Sequence, residues 1–140
     1  MMKIINEKIF KETSSETDVI DITPEIEKLI DSSSISNGCV CVHIPGSTAS
    51  ISTIEFEPGA IADFKRILEK LIPRDENYKH NETWNDGNGY SHIRSTILGS
   101  SKTFPIHDKV IQLGTWQQIV LIDFDNKSRN REINIQVIGE

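Results

Sequence analysis

The sequence predicts an α+β protein in which a mainly antiparallel β-sheet or sandwich carries two to three inserted helices. Three observations lead to this class: strand-like segments outnumber helical ones, the helices fall between pairs of strands, and most connections are too short for parallel crossovers. The chain of 140 residues is predicted to form one domain over residues 1–140. A domain of that size buries roughly two thirds of the surface of its unfolded chain.

Composition excludes several classes of function. Hydrophobic residues make up 36% and charged residues 26% of the chain, and no apolar run approaches the roughly 20 residues of a membrane span. The formal net charge of −6 argues against a nucleic-acid-binding protein, which concentrates Lys and Arg to neutralise phosphates. The amino-terminal residues alternate charged and apolar side chains and lack the apolar core of a secretory signal. We therefore expect a cytoplasmic protein that does not associate with membranes.

The first elements are two strands and a helix. Residues Lys3 to Thr13 and Val19 to Thr23 have strand patterns. Thr23 is the predicted N-cap of the helix that follows, Pro24 suits the first helical position, and acidic residues suit the first turn. The serine-rich segment Asp31 to Gly38 then predicts a short connection.

Two further strands are predicted at Cys39 to Ile44 and Ser50 to Phe56, separated by the turn Pro45 to Thr48. This arrangement predicts either a hairpin or a tight corner. Cys39 and Cys41 point to the same face of the first strand. We interpret them as two small buried hydrophobic residues, because a pair spaced i, i+2 in an extended strand meets disulfide geometry poorly.

The clearest helix is predicted from about Ala60 to Leu71, where apolar residues recur at helical spacing and Pro73 follows. A long polar loop is predicted to begin at Arg74. A short helix then runs from about Ser91 to Leu98 and is closed by Gly99.

Four strands complete the predicted fold, with turns at two Asx-containing segments. The basic residues Lys127, Arg129 and Arg131 follow the last of these turns, and we interpret them as a solvated edge rather than an anion site. The predicted strands are Ser101 to Pro105, Lys109 to Leu113, Thr115 to Asp125 and Glu132 to Ile138.

The segment from His80 to His92 is the main candidate for chemistry. It holds two of the four histidines, two acidic residues and two glycines. His80, Asp86 and His92 could bind a metal ion with one position left open for water or substrate. Without a metal, either histidine could transfer protons near neutral pH. The alternative is that His80 is a solvated loop residue and His92 a packing residue.

Two other segments could bind a substrate. Gly46, Ser47 and Thr48 offer backbone N–H groups and hydroxyls that could hold a phosphate, or they form only a polar turn. Trp116 could stack on a planar ring and Gln117 could read its polar edge. A tryptophan buried in the core is an equally good interpretation.

At these residues the sequence resembles the YjbQ-like family of small proteins, whose members are often named secondary thiamine-phosphate synthases. The resemblance runs from about Gly38 to Glu140 and depends on several short motifs in a fixed order. The motifs are Pro45-Gly46-Ser47-Thr48-Ala49, His80-Asn81, Asp86-Gly87-Asn88-Gly89, Ser91-His92-Ile93-Arg94, Leu98-Gly99, Leu113-Gly114-Thr115-Trp116-Gln117 and Ile138-Gly139-Glu140.

The resemblance implies an α+β protein with a substantial antiparallel sheet, a homotrimeric assembly and a polar, metal-binding pocket. The chain departs from the family pattern where Gly46 and Tyr90 replace histidines that many members carry. Matching positions carry the pocket over to Thr48, His80, Asp86, Asn88 and His92, with Trp116 and Gln117 as a nearby wall.

Together, the residues and the resemblance predict a metal-assisted enzyme that acts on a small phosphorylated metabolite, with Zn²⁺ or Mg²⁺ as the divalent ion. The reaction that the resemblance names transfers an aminopyrimidine group from its diphosphate to a thiazole phosphate. The alternative is a non-catalytic module that binds a small molecule or metal, which the histidines missing at Gly46 and Tyr90 favour. A purely structural interaction protein is a third hypothesis, and it leaves the His80 to His92 segment without a role.

Overall fold

The computed structural model describes residues 1–15 and 17–140, and it confirms the α+β class with mostly antiparallel strands. Eight strands and four helices are assigned in the described part of the chain. The strands are β1 (Lys3–Glu12), β2 (Asp18–Asp21), β3 (Gly38–His43), β4 (Ala49–Glu55), β5 (Ser101–His107), β6 (Val110–Ile111), β7 (Gln117–Asp123) and β8 (Asn130–Gly139). The helices are α1 (Thr23–Ser32), α2 (Pro58–Leu71), α3 (Lys79–Trp84) and α4 (Gly89–Leu98).

The strands form two sheets. A five-stranded sheet has the order β1-β8-β3-β5-β6, a three-stranded sheet has the order β2-β7-β4, and the neighbouring strands pair antiparallel. Because β3 belongs to the first sheet and β4 to the second, the segment between them is a corner rather than a hairpin. This corner carries Gly46, Ser47 and Thr48 to one end of the space between the sheets.

The principal core fills the space between the two sheets. Strands β3, β7 and β8 supply alternate apolar residues to it, and α1 closes one side. A second, smaller core lies on the other face of β7, where α2 packs. Since β7 is covered on both faces, its apolar residues are consecutive rather than alternating. They are Ile119, Val120, Leu121 and Ile122, none more than 2% exposed.

The two cysteines differ from the expectation of small buried residues. Both thiols are free, and both side chains are only partly buried. Val40 and Val42 alternate with them along β3 and take the inward positions of the principal core. Cys39 and Cys41 therefore lie on the outer sheet face, which is the face of the five-stranded sheet turned away from that core.

The amino-terminal end of α1 also differs from its prediction. The N-cap residue is Ile22, and Thr23 is the first residue of the helix. The Thr23 hydroxyl is used elsewhere, because it accepts a bond from the Ile119 N–H at 2.8 Å and donates to the Ile119 carbonyl at 3.3 Å. Asp21 Oδ1 accepts the Thr23 N–H instead, at 3.0 Å. The threonine thus ties α1 to β7.

Helix α2 begins two residues earlier than predicted, at Pro58. The carboxylate of Glu57 caps it by accepting the N–H groups of Gly59 and Ala60. Within residues 1–15 and 17–140, no helix has both the length and the apolar character needed to cross a bilayer.

Gly139 gives a test of the close approach between β8 and the segment before β3. A Cβ atom at Gly139 would overlap the carbonyl oxygen of Asn37, whereas one at Gly114 would have its nearest neighbour at 3.8 Å. We expect Gly139→Ala to lower the free energy of unfolding by about 1–3 kcal/mol or more, because the backbone must shift. Gly114→Ala is the matched control and should change it by less than about 1 kcal/mol. Urea denaturation measures both, and equal effects would contradict this account of the packing.

Candidate functional site

A polar cleft of about 410 Å³ opens at the end of the two sheets where the β3–β4 corner, the α3–α4 segment and the start of β8 meet. We call it the histidine cleft. In this cleft, residues of the α3–α4 segment face residues at the ends of the strands. The lining residues are Gly46, Ser47, Thr48, His80, Trp84, Asp86, Asn88, His92, Asp125, Arg129 and Arg131.

His80 lies on helix α3, in a region that the sequence predicted as loop. The helix spans six residues, and Asn85 ends it in the left-handed conformation with φ of 53°. The Asn81 side chain then accepts the Gly89 N–H at 2.8 Å. A Cβ at Gly89 would overlap Tyr78, so glycine permits this close return of the chain. The helix has only six residues and none of them is buried, so its sequence lacks the apolar periodicity that predicts a helix.

The structure brings His80, Asp86 and His92 together. The ring centroids of the two histidines lie 4.1 Å apart, with 47° between the ring planes. The Nε2 atom of His80 lies 3.6 Å from Asp86 Oδ2, which is too long for a good hydrogen bond. Asp86 is fixed through its backbone carbonyl, which accepts a bond of 2.8 Å from the Asn126 side chain.

The electrostatic environment makes His92 a weaker base than usual. Burial lowers the pKa of His92, and the neighbouring His80 lowers it further, while Asp86 and Asp125 act in the opposite direction. The resulting pKa of His92 lies below the ordinary histidine value of 6.5. His92 is therefore mostly neutral at physiological pH, the form in which an imidazole can accept a proton or bind a metal.

Two carboxylates and two guanidinium groups form the opposite wall, which we call the Asp–Arg cluster: Asp123, Asp125, Arg129 and Arg131. Both carboxylates are fully buried. Arg131 donates to the two oxygens of Asp123 at 2.9 Å each and to Thr48 Oγ1 at 2.7 Å. Arg129 donates to Asp125 Oδ2 at 2.8 Å. Breaking one partner of such a buried pair typically costs about 3–5 kcal/mol.

Asp125 is held in its ionised form. Burial alone would raise the pKa of Asp125, but bonds from the Asn88 side chain, the Asn126 N–H and Arg129 hold it below its ordinary value. Counting only arginines and carboxylates, Arg129 and Arg131 face three acidic residues once Asp86 is included. The site thus carries one net negative charge before any histidine is protonated.

The interpretation of the basic residues after β7 as a solvated edge is wrong for Arg129 and Arg131, which line the histidine cleft. A signal for their position was present in the sequence. Arg131 is in step with the inward residues Ile133 and Ile135 of β8, just as Asp123 is in step with the inward residues of β7. Opposite charges that continue two inward-facing rows are expected to meet.

Asn88 forms part of the floor of the cleft and is 5% exposed. Its Nδ2 donates to Asp125 Oδ1 at 3.2 Å. Its Oδ1 is buried without a hydrogen-bond partner, and the same is true of His80 Nε2. A buried acceptor left without a partner costs about 1–3 kcal/mol. Both atoms are therefore available to a group that binds in the cleft.

The donor chemistry of the cleft fits a divalent ion only in part. His80 Nε2 is a buried nitrogen without a hydrogen-bond partner, and the Asp86 carboxylate is its nearest acidic neighbour. Within the described ranges, however, no group of three or more His, Cys, Asp or Glu side chains is arranged to hold a metal ion. An ion held by few protein ligands completes its shell with waters and substrate phosphate oxygens.

Ser47 and Thr48 reach the cleft as the sequence suggested, whereas Trp116 and Gln117 do not. Thr48 is fixed there, because its carbonyl accepts the Phe124 N–H at 2.9 Å. Trp116 is 71% exposed, and the Gln117 amide bonds to Gly114 and Thr53. Gln117 is the first residue of β7 and Trp116 directly precedes it, so both lie roughly 20 Å along the strand from the cleft. Neither residue forms a wall of this cleft within one chain.

The histidine pair predicts a measurable titration. We expect the NMR midpoint of the His92 ring to lie below 6.5, with His80→Gln moving it up and Asp86→Asn moving it down. Between the folded pKa and the ordinary value of about 6.5, the unfolded chain binds more protons at His92, so this residue makes stability rise with pH. A midpoint above the ordinary value, or the same midpoint in both variants, would contradict the arrangement. Ring-proton shifts recorded from acidic to neutral pH measure it.

Comparisons with known proteins agree with the fold. The family model described as "UPF0047 protein YjbQ-like" matches residues 7–140. A UPF0047 protein of Methanothermobacter thermautotrophicus is 35% identical over 139 residues, covering 99% of this chain and 95% of that protein. A second UPF0047 protein, MJ1081 of Methanocaldococcus jannaschii, is 36% identical over 129 residues, covering 91% of this chain and 90% of that protein.

Two solved structures are similar over nearly their whole length. A YbjQ-like protein of unknown function from Sulfolobus solfataricus has a TM-score of 0.94 at 30% identity and covers 100% of both chains. An uncharacterised YjbQ/UPF0047 protein from Clostridium acetobutylicum has a TM-score of 0.85 at 33% identity and covers 94% of this chain and 98% of that one. Matching in sequence and in fold from end to end, the chain belongs to the YjbQ-like UPF0047 family.

Proposed function

We propose that the protein is an enzyme that acts on a small phosphorylated or diphosphorylated metabolite in the histidine cleft, assisted by a divalent cation. The observation that carries the proposal is the convergence of a histidine pair with a hydroxyl- and arginine-lined corner. His80 and His92 contact each other, and the Thr48 corner with Arg129 and Arg131 lies in the same cleft. These two halves have complementary chemistry, since one transfers protons and the other binds oxyanions.

Phosphate would bind at the corner between the sheets. Ser47 is exposed there, and Gly46 has a φ of 112° that turns the backbone. Arg131 approaches Gly46 closely, because its Nη1 lies 3.4 Å from where a Cβ of residue 46 would be. Arg129 is 39% exposed and can reach a ligand without breaking the buried pairs. Backbone N–H groups, a hydroxyl and guanidinium donors are the usual partners of phosphate.

A divalent cation would be held near His80 and Asp86. When bound, it would neutralise the charge of the phosphate oxygens. Without the cation, the single net negative charge of the site repels a phosphate ligand. His92, whose lowered pKa keeps it mostly neutral, is the residue that we assign to proton transfer.

The named candidate reaction is thiamine-phosphate synthesis, the joining of an aminopyrimidine diphosphate to a thiazole phosphate. Both substrates carry phosphate, and the hydroxyl and guanidinium donors at the corner are suited to binding it. The position of Trp116 supports stacking of the pyrimidine only if another subunit supplies that side chain, because within one chain it lies far from the cleft.

A non-catalytic binding module is the second candidate, and the position of Tyr90 favours it. Tyr90 stands where many relatives carry histidine, is 3% exposed, and packs under the Arg94 guanidinium at 5.0 Å. A side chain buried in this way stabilises α4 and does not add a ligand to the cleft. This function predicts ligand-dependent thermal stabilisation without formation of product.

Turnover of phosphorylated substrates separates the two candidates. We expect His92→Ala to lower the turnover by about 100-fold or more, because general acid–base catalysis contributes at least that much. His107→Ala is the matched control, since His107 is 73% exposed and lies outside the cleft. Product formation is measured with the aminopyrimidine and thiazole substrates and with a panel of phosphate and diphosphate esters. Equal turnover in the two variants would refute a role for His92 in catalysis.

We further propose that three copies of the chain assemble through the outer sheet face. This face exposes Ile4 by 62% and Phe10 by 60%, and a groove of about 430 Å³ runs along it beside Cys41. Asn6 and Lys8 lie between these two apolar residues on the same face of β1, so the surface combines exposed apolar and polar side chains, as the surfaces between subunits commonly do.

The oligomeric state tests this assembly. We expect light scattering after size exclusion to give a trimer for the unmodified chain and a smaller species for Phe10→Asp, because a buried charge opposes association. Ile97→Asp is the control: Ile97 is 67% exposed on α4, away from this face. A monomeric unmodified chain, or equal dissociation by both substitutions, would contradict the proposed interface.

A further inference from the structure

The side-chain orientation of Asn88 is fixed by its partner. One amide atom contacts Asp125 Oδ1 at 3.2 Å. An ionised carboxylate accepts hydrogen bonds and cannot donate them, so the contacting atom must be the Nδ2 group. The carbonyl oxygen Oδ1 is then the atom that stays buried without a partner. Asn88 is 5% exposed, which leaves little freedom for another conformation.

Three lone-pair donors therefore share the floor and rim of the histidine cleft. Asn88 Oδ1 and His80 Nε2 have no hydrogen-bond partner, and Asp86 Oδ2 lies 3.6 Å from His80 Nε2. All three residues line the same cavity. A cation satisfies such a set, because each atom can offer it a lone pair.

His92 has a different relation to this set. Its ring packs against the ring of His80, with the centroids 4.1 Å apart. The two ring planes are tilted by 47° relative to each other. This packing limits the orientations open to the His80 ring, and a fixed ring orientation favours binding of a metal ion.

We infer that Asn88, through its side-chain oxygen Oδ1, is the third protein ligand of a divalent cation held with His80 and Asp86, and that His92 orients His80. This inference rests on the proposed function, which it deepens by assigning the cation site. The amide oxygen supplies a third ligand of a type other than the His, Cys, Asp and Glu side chains, which by themselves form no group of three around an ion in the described residues. An imidazole with two oxygen donors suits Mn²⁺ or Zn²⁺. A divalent ion would turn the single net negative charge of the site into a positive one, which favours a phosphate ligand.

The test is metal binding by the full chain after treatment with a chelator. Free Mn²⁺ is followed by electron paramagnetic resonance and Zn²⁺ by calorimetry, each with and without inorganic phosphate. We expect Asn88→Ala to weaken binding by about tenfold or more, and His92→Phe, which keeps a ring against His80, to weaken it less than Asn88→Ala does.

Circular dichroism and thermal melting of each variant show that it is folded before binding is compared. Undiminished binding in Asn88→Ala, a loss in His92→Phe as large as in Asn88→Ala, or no binding of either ion by the unmodified chain would overturn the inference. Binding and turnover of phosphate esters in the presence of chelator are measured in parallel. If they persist while no metal binds, the inference fails and the enzyme proposal stands without its cation; if metal binds and no phosphate compound does, the enzyme proposal fails.

Discussion

Two carboxylates without exposed surface, Asp123 and Asp125, hold together the open end of the two sheets. Asp123 accepts hydrogen bonds from two nitrogens of Arg131 on β8. Asp125 accepts hydrogen bonds from Arg129, from Asn88 and from a backbone N–H. The Thr13 hydroxyl adds a bond of 2.6 Å to Asp123. Two carboxylates are tolerated at this depth because their oxygens accept bonds from charged or polar donors. The same bonds set the positions of Thr48 and Asn88, so the geometry of the cleft follows from them.

The class of the fold could be predicted because the signals were local and strong. The run Ile119 to Ile122 and the alternation around Val40 each reflect burial, and the short connections left antiparallel pairing as the simplest arrangement. The corner at Gly46 could not be distinguished from a hairpin, since the choice depends on which sheet each flanking strand joins. That choice is made by contacts distant in sequence.

The sequence predicted the histidine half of the site but not the arginine half. His80, Asp86 and His92 lie within thirteen residues and meet through the short helix α3 and its glycine-rich turn. A charge run after a turn is usually exposed, which explains the wrong prediction for Arg129 and Arg131. Arg131 is buried by Asp123 on another strand, whereas Arg129 pairs with Asp125 four residues earlier and keeps 39% of its side chain exposed. Trp116 was placed with the site by its type and neighbours in the sequence. In the structure, Trp116 lies at the opposite end of β7 from the cleft.

The histidine cleft lies where the two sheets part, so its walls belong to different layers of the protein. His80 and Asn88 belong to the α3–α4 segment, Thr48 to the corner, and Arg129 to the turn before β8. A ligand that touched all of them would brace the two layers against each other. Its binding would suppress local opening of the strand ends. Occupancy of the cleft would thus be coupled to the rigidity of both sheets.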